Sequence, residues 1–217
     1  MGTFHSIGAK IIRNHAEVIG LKQSFTILDK DDQLSLIKQI IKAENLDQSQ
    51  FSPKLIQSKI DHWKNKALNP NDIKSESLDN LVDEKSLSIY KIYQARLFEI
   101  NCLDFGDLLL QCINLFKVPD IHKRYSNNFK YIHVDEYQDT NAAQYKWLKL
   151  LGSHHQNVCC VGDDDQSIYS WRGAEVDNML RFEKEFENAK VIRLKQNYRS
   201  TNNILCLLYT SDAADER

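Results

Sequence analysis

Apolar residues along the chain recur first at helical and later at strand spacing. Ile7, Ile11 and Ile12 share one helix face. From Asp29 to Asn45, Leu34, Ile37, Ile40 and Ile41 form a stripe at i, i+3, i+6 and i+7. Asp29 is placed to cap that helix, and Asp31 and Asp32 lie near its positive dipole end. A third helix is predicted over Pro53 to Lys66, carried by Leu55, Ile56, Ile60 and Trp63. Leu68 to Asp83 is polar and turn-rich, so it reads as a loop with a short helical piece. Leu87 to Asn101 is predicted helical, with Ile89, Tyr90, Tyr93 and Leu97 on one side, and Phe105 to Phe116 follows behind an Asp104 cap.

After about residue 128 the pattern changes. Tyr131–Val134, Val158–Val161 and Val191–Leu194 are short runs of β-formers, and helical segments are predicted between them at 141–151 and 175–187. Strand, helix and strand repeating at about 30 residues is the mark of βαβ units and a parallel sheet. The fold class expected is therefore α/β, with a mostly helical module ahead of a parallel sheet.

Composition narrows the class further. Of 217 residues, 42% are hydrophobic and 27% charged, as in an ordinary globular protein, with only 7 Gly and 3 Pro. The formal net charge of -2 excludes a generally basic protein but not a local basic or aromatic path. The five cysteines are odd in number and form no C-x-x-C pair, which suits a reduced intracellular setting. Cys159 and Cys160 should point to opposite faces of their strand.

Each predicted strand ends in a polar cluster, where ligands of open α/β sheets bind. The first is Asp135-Glu136-Tyr137-Gln138-Asp139-Thr140. An apolar strand ending in Asp-Glu suits Mg²⁺ at the Asp and activation of water at the Glu. The same residues also read as an exposed acidic turn in which Asp139 or Thr140 caps the next helix. The second cluster runs from Val161-Gly162 through Asp163, Asp164, Asp165 and Gln166 to Tyr169, Trp171 and Arg172. Gly162 permits a tight turn at the strand end. Gln166 can both donate to a phosphate oxygen and orient a water. Tyr169 and Trp171, at i and i+2 beside Arg172, suit stacking on unpaired bases or, alternatively, burial in a core. The third cluster, Gln196-Asn197-Tyr198-Arg199-Ser200-Thr201, offers Arg199 as a cation for a transferred phosphoryl group or as a surface ion pair.

Taken together, Asp135–Asn141, Val161–Ala174 and Gln196–Thr201 resemble motifs II, III and IV of the UvrD/Rep/PcrA-type superfamily 1 DNA helicases. Thr3-Phe4-His5-Ser6 resembles motif Ib, and Leu103–Leu109 resembles the family's Asp-Phe-x-Asp/Glu-Leu-Leu segment. The resemblance implies a partial RecA-like P-loop NTPase sheet with an inserted all-α domain of the 1B type. The mostly helical insertion is expected over 1–118, preceded by the motif Ib segment, with the second half of motor domain 1A over 119–195 and the start of domain 2A over 196–205. It implies ATP and Mg²⁺ as cofactors, with Asp135 on the metal, Glu136 activating water, Gln166 sensing the γ-phosphate and Arg199 acting as an arginine finger. Phe4, His5, Tyr169, Trp171 and Arg172 are implied to contact single-stranded DNA. The family translocates 3′ to 5′ in repair and replication. The implied partners are single-stranded DNA, single/double-strand junctions, repair proteins or a second copy, in the bacterial cytoplasm at the nucleoid and away from membranes.

Three family features are missing: the Gly-x-x-x-x-Gly-Lys-Thr/Ser loop, the adenine-reading Gln motif, and motifs V and VI. The expectation is an internal fragment of a helicase that does not hydrolyse ATP by itself, with a helicase–nuclease subunit or a non-catalytic DNA-binding remnant as alternatives. Residues 206–217 turn polar, lose the family pattern and resemble translated adapter DNA, so a poorly packed, non-native tail is expected. His154-His155 reads as a solvated loop, His133 as a packed strand residue, and Lys38, Lys42, Lys64 and Lys66 as a solvated helix face.

Overall fold

The computed structural model describes residues 1–74, 78, 80–168, 174, 182, 186, 189–194, 196–201, 203–204 and 206. It divides into two compact units, Met1–Arg181 and Phe182–Arg217.

The first unit holds seven helices and four short strands among its described residues. Helix α1 (Phe4–Asn14) starts where the Thr3 hydroxyl accepts the Ser6 N–H. Helix α2 (Lys30–Ala43) starts at Asp29, whose carboxylate accepts the Asp31 and Asp32 amides at 2.9 Å as the sequence predicts. Helix α3 (Pro53–Asn65) has Pro at its first turn. Helix α4 (Leu81–Glu99) begins six residues ahead of the predicted Leu87 start, because the Asn80 side chain caps it by accepting the Asp83 amide at 3.0 Å. Helix α5 (Phe105–Leu115) carries a reciprocal capping box between Asp104 and Asp107. Helix α6 (Pro119–Asn128) was not among the predicted elements, although Pro119 and Asp120 in its first turn mark a helix start. Helix α7 (Ala142–Gly152) completes the set.

Two apolar clusters form. One draws Ile11 and Ile12 of α1, Leu103, Leu108, Leu109 and Ile113 of the α5 region, Tyr125 of α6, and Ala143, Trp147 and Leu151 of α7. The other draws Ile37, Ile40 and Ile41 of α2, Ile56 and Ile60 of α3, and Tyr90, Tyr93 and Leu97 of α4. Between the clusters, strands β1 (Thr26–Ile27) and β2 (Cys102–Leu103) pair in parallel, Thr26 opposite Cys102 and Ile27 opposite Leu103. The chain therefore leaves the first cluster on β1 and returns to it on β2. Neither strand was predicted, because two residues are too few to show an alternating pattern.

Strands β3 (Ile132–Val134) and β4 (Val158–Cys160) also pair in parallel, with α6 ahead of them and α7 between them. The expected parallel βαβ unit is thus present. Along β4, Cys159 is exposed and Cys160 half-buried, so they do alternate. His133 departs from its predicted packing: it is exposed, since alternation on β3 sends Val134 inward. Among the described residues no helix is long and apolar enough to cross a membrane.

In the second unit the predicted strand Val191–Leu194 does not form. These residues are exposed, with Leu194 at 86%, and no ladder holds them. A strand needs a neighbour for its N–H and C=O groups, and the described residues supply none. The helix predicted at 175–187 lies mostly outside the described residues, as does the tail beyond Cys206.

Candidate functional site

Register along β3 and β4 sets the geometry of the site. Ile132 faces Val158, His133 faces Cys159 and Val134 faces Cys160. Pairing continues past both strand ends, as the Val161 amide donates to the Val134 carbonyl at 2.8 Å and the Tyr137 amide to the Val161 carbonyl at 2.9 Å. The residues that follow each strand consequently emerge on one rim, at the carboxyl edge of the parallel pair. Asp135 and Glu136 leave β3 exposed, and Asp163, Asp165 and Gln166 leave β4 exposed.

Glu136 takes a left-handed backbone conformation, φ 52° and ψ 45°. For a residue with a Cβ this costs about 1–2 kcal/mol. The Glu136 amide donates to its neighbour's Asp135 Oδ1 at 3.0 Å. A 3-10 turn, Tyr137–Asp139, follows and turns the chain inward, so that Tyr137 and Gln138 are buried. The buried Gln138 side chain donates through Nε2 to Glu136 Oε2 at 2.8 Å and accepts the Asp163 amide on Oε1 at 3.0 Å. Beyond β4, Gln166 Nε2 donates to Asp163 Oδ2 at 2.6 Å, and Asp163 Oδ1 accepts the Asp165 amide at 3.2 Å. The three consecutive aspartates thus sit in a structured turn whose described members are solvated.

Two local expectations change. Helix α7 is capped by neither Asp139 nor Thr140 but by Asn141, whose Oδ1 accepts the Gln144 amide at 2.9 Å while Gln144 Oε1 accepts the Asn141 amide at 2.9 Å. Thr140 is occupied elsewhere, donating to the Tyr137 carbonyl at 2.7 Å. Gly162 has no positive φ. What it supplies is space, since a Cβ there would stand 2.7 Å from Gln138 Oε1.

The remaining predicted residues are spread differently. Phe4 and His5 open α1. Phe4 is half-buried edge-on to Trp147, with ring centres 5.5 Å apart, and His5 packs edge-on to Phe105 at 5.9 Å. Burial holds the His5 pKa below the ordinary histidine value, which favours the neutral ring. Tyr169, Trp171 and Arg172 lie outside the described residues. Arg199 belongs to the second unit, where it is exposed on a turn closed by Asn197 Oδ1, which accepts the Arg199 and Ser200 amides at 2.9 Å.

Lys64 is another residue the sequence misread. Lys38, Lys42 and Lys66 are exposed, but Lys64 is fully buried, with Nζ 2.7 Å from Asp104 Oδ2 and 2.8 Å from Asp107 Oδ1. Tyr93 also donates to Asp104 Oδ2 at 2.9 Å, and Gln94 donates to Asp107 Oδ1 at 3.1 Å. The Lys64 ammonium lies over the Tyr93 ring, 5.2 Å from its centre. Burial works against the ammonium, but the two carboxylates outweigh it and hold the Lys64 pKa above its ordinary value. Position offered one signal: Lys64 falls one residue after Trp63 and four after Ile60, on the apolar face of α3.

The match to known proteins fits this rim. The chain matches the model of the UvrD/REP helicase N-terminal domain over residues 1–187. The chain belongs to the UvrD/REP helicase family. It is 50% identical over 209 residues to the DNA helicase II of Rickettsia typhi, covering 94% of this chain and 32% of that protein. It is 49% identical over 208 residues to a probable DNA helicase II homolog of Rickettsia felis, with the same coverage. It is 48% identical over 206 residues to the ATP-dependent DNA helicase PcrA of Staphylococcus epidermidis, covering 94% of this chain and 28% of the relative. This UvrD/PcrA-type chain thus spans about a third of the length of the curated relatives it matches.

Proposed function

We propose that this chain is part of an ATP-dependent DNA helicase that moves 3′ to 5′ on single-stranded DNA and unwinds duplexes in repair and replication. The observation that carries the reading is the shared rim. An exposed acidic pair and an exposed glutamine leave adjacent parallel strands in register, on the edge where α/β sheets bind ligands. The names of the relatives, helicase II and PcrA, support the same activity.

In this reading Asp135 holds Mg²⁺ through water. The residues fit: among the described residues Asp135 Oδ1 accepts only a neighbouring amide at 3.0 Å, and its carboxylate is exposed. A single carboxylate with water and substrate phosphates is an ordinary Mg²⁺ arrangement. The metal, when bound, neutralises phosphate charge. Glu136 takes the proton of the attacking water, and Gln166 registers the terminal phosphate. Arg199 keeps the arginine-finger role that the motif resemblance implies for it. Tyr169, Trp171, Arg172, Phe4 and His5 bind single-stranded DNA in this reading, which for them comes from the motif resemblance. The 217 residues lack a phosphate-binding Gly-Lys loop and are inactive in ATP hydrolysis by themselves.

We also infer that the excursion between β1 and β2 is the inserted helical domain. Its own apolar cluster supports this, as does the packing of α1 and α5 with α7, which argues for an insertion narrower than 1–118.

The test is Glu136→Gln in the full-length protein that carries this chain. DNA-stimulated ATP turnover should fall at least about a hundredfold while nucleotide affinity changes little. Turnover equal to wild type removes the helicase motor reading.

A further inference from the structure

Gln138 is not assigned a role by any of the chemistry above, yet its side chain bonds to the residues that follow both strands of the rim. It is 1% exposed, between Glu136 and Asp163, which are both exposed. Both ends of its amide are used in the only orientation that works. The NH₂ faces a carboxylate, Glu136 Oε2 at 2.8 Å, and the carbonyl oxygen faces an N–H, that of Asp163 at 3.0 Å. A flipped amide would set oxygen against carboxylate and NH₂ against N–H.

The next link runs outward. Asp163, whose amide Gln138 accepts, also accepts Gln166 Nε2 on Oδ2 at 2.6 Å, and its carbonyl accepts the Gln166 amide at 3.2 Å. A continuous path of hydrogen bonds therefore leads from the Glu136 carboxylate through Gln138 and Asp163 to Gln166. Gly162 makes room for it, because a methyl group there would press to 2.7 Å from Gln138 Oε1. The path also meets a need at Glu136. A residue in the left-handed region stays there only when its surroundings hold it. Gln138 fixes Oε2 and leaves Oε1 without a partner among the described residues.

We propose that Gln138 is the positioning residue of this site, aiming the Glu136 carboxylate and tying its orientation to the turn that carries Gln166. The proposal rests on the reading of Glu136 as the base that activates water. When Gln166 turns from Asp163 toward a phosphate, the Asp163 turn is released, and Gln138 passes that change to Glu136.

The experiment uses the full-length protein that carries this chain, with steady-state ATP turnover at saturating single-stranded DNA, affinity for a fluorescent ATP analogue, and thermal melting. Gln138→Met keeps the side-chain volume and removes both hydrogen bonds. Its kcat is expected to drop about 10- to 100-fold, the scale of a misaimed group, with KM for ATP and analogue affinity within about threefold of wild type. Gly162→Ala displaces the amide without altering Gln138 and should lower kcat in the same sense, which keeps the test open if Gln138→Met folds poorly. Combined with Gln166→Ala, Gln138→Met should be no slower than the slower single variant, since both break one path. A kcat within twofold of wild type in both Gln138→Met and Gly162→Ala overturns the proposal, as do losses that multiply in the double variant or that follow a lowered melting temperature. Glu136→Gln run alongside separates the two readings. If it turns over normally, the motor reading fails; if it is dead while Gln138→Met and Gly162→Ala are normal, only the role of Gln138 fails.

Discussion

The Lys64 ammonium lies 2.7 Å from the Asp104 carboxylate, with both side chains sealed from solvent where α3 meets the start of α5. Lys64 comes from the helical excursion between β1 and β2, and Asp104 from the capping box of the helix that re-enters the other cluster. Gln33 of α2 and Tyr93 of α4 reach the same Asp104 oxygen, so three helices of the excursion converge on one carboxylate. Removing one partner of a buried ion pair costs about 3–5 kcal/mol, because the other charge is left without compensation. Lys64→Met strands both Asp104 and Asp107, and the unfolding free energy read from urea titration should fall by that scale. A loss under about 1 kcal/mol would mean the charges contribute little to the joint.

The same cluster predicts a pH dependence. Burial, followed by repulsion from Asp104, pushes the Asp107 carboxyl up to about 6. A carboxyl raised on folding binds its proton more tightly in the native state. Its contribution to stability is complete below the ordinary carboxylate range and is lost as pH rises through about 6. Asp104 behaves oppositely: burial disfavours its charge, but Lys64 prevails and lowers its pKa, so its contribution is lost in acid. Stability should therefore be higher at about pH 5 than at about pH 7.5, by about 1 kcal/mol. Asp107→Asn should erase that increment in urea titrations at the two pH values. An increment that survives the substitution assigns it to another group.

Gly106 stands where Lys64 passes. A Cβ on Gly106 would lie 2.9 Å from both Cβ and Cδ of Lys64. The lysine stem cannot retreat, because its Nζ is held by two carboxylates. Gly106→Ala should destabilise by about 1–3 kcal/mol, as overpacking of a tight interior does. The substitution improves helix propensity, so a rise in melting temperature would show that the stem yields.

Trp171 lies outside the described residues, and its prediction comes from the motif alone. If it stacks on a base, Trp171→Ala in the full-length protein should cost about 1–3 kcal/mol in single-strand affinity, roughly tenfold or more. Fluorescence anisotropy with an oligothymidylate probe measures it. Unchanged affinity together with a lowered melting temperature would assign the ring to a core instead.

Much of this protein was legible in one dimension because it depends on neighbours close along the chain. The stripe from Leu34 to Ile41 and the Asp29 cap gave α2, and Asp104 gave the start of α5. The ends of the β3 and β4 runs located Asp135, Glu136 and Gln166 before any strand was paired. These are local signals, set by periodicity, capping and strand polarity.

What only the tertiary structure decided involves partners far apart in sequence. Nothing near Lys64 announces carboxylates 40 and 43 residues away, so an isolated lysine on a helix read as solvated. Nothing near Gln138 announces the Asp163 amide, 25 residues on, that fixes its role on the rim. Strand Val191–Leu194 shows the converse: its β-forming residues were legible, but the ladder they need was not supplied by any described residue. The sequence by itself determined most of the helices, the Asp29 and Asp104 caps and the chemical groups at the ends of β3 and β4, because backbone propensity and capping act over a few residues. Packing decided which of those groups are buried, paired and aimed, because burial and long-range hydrogen bonding are properties of the assembled chain.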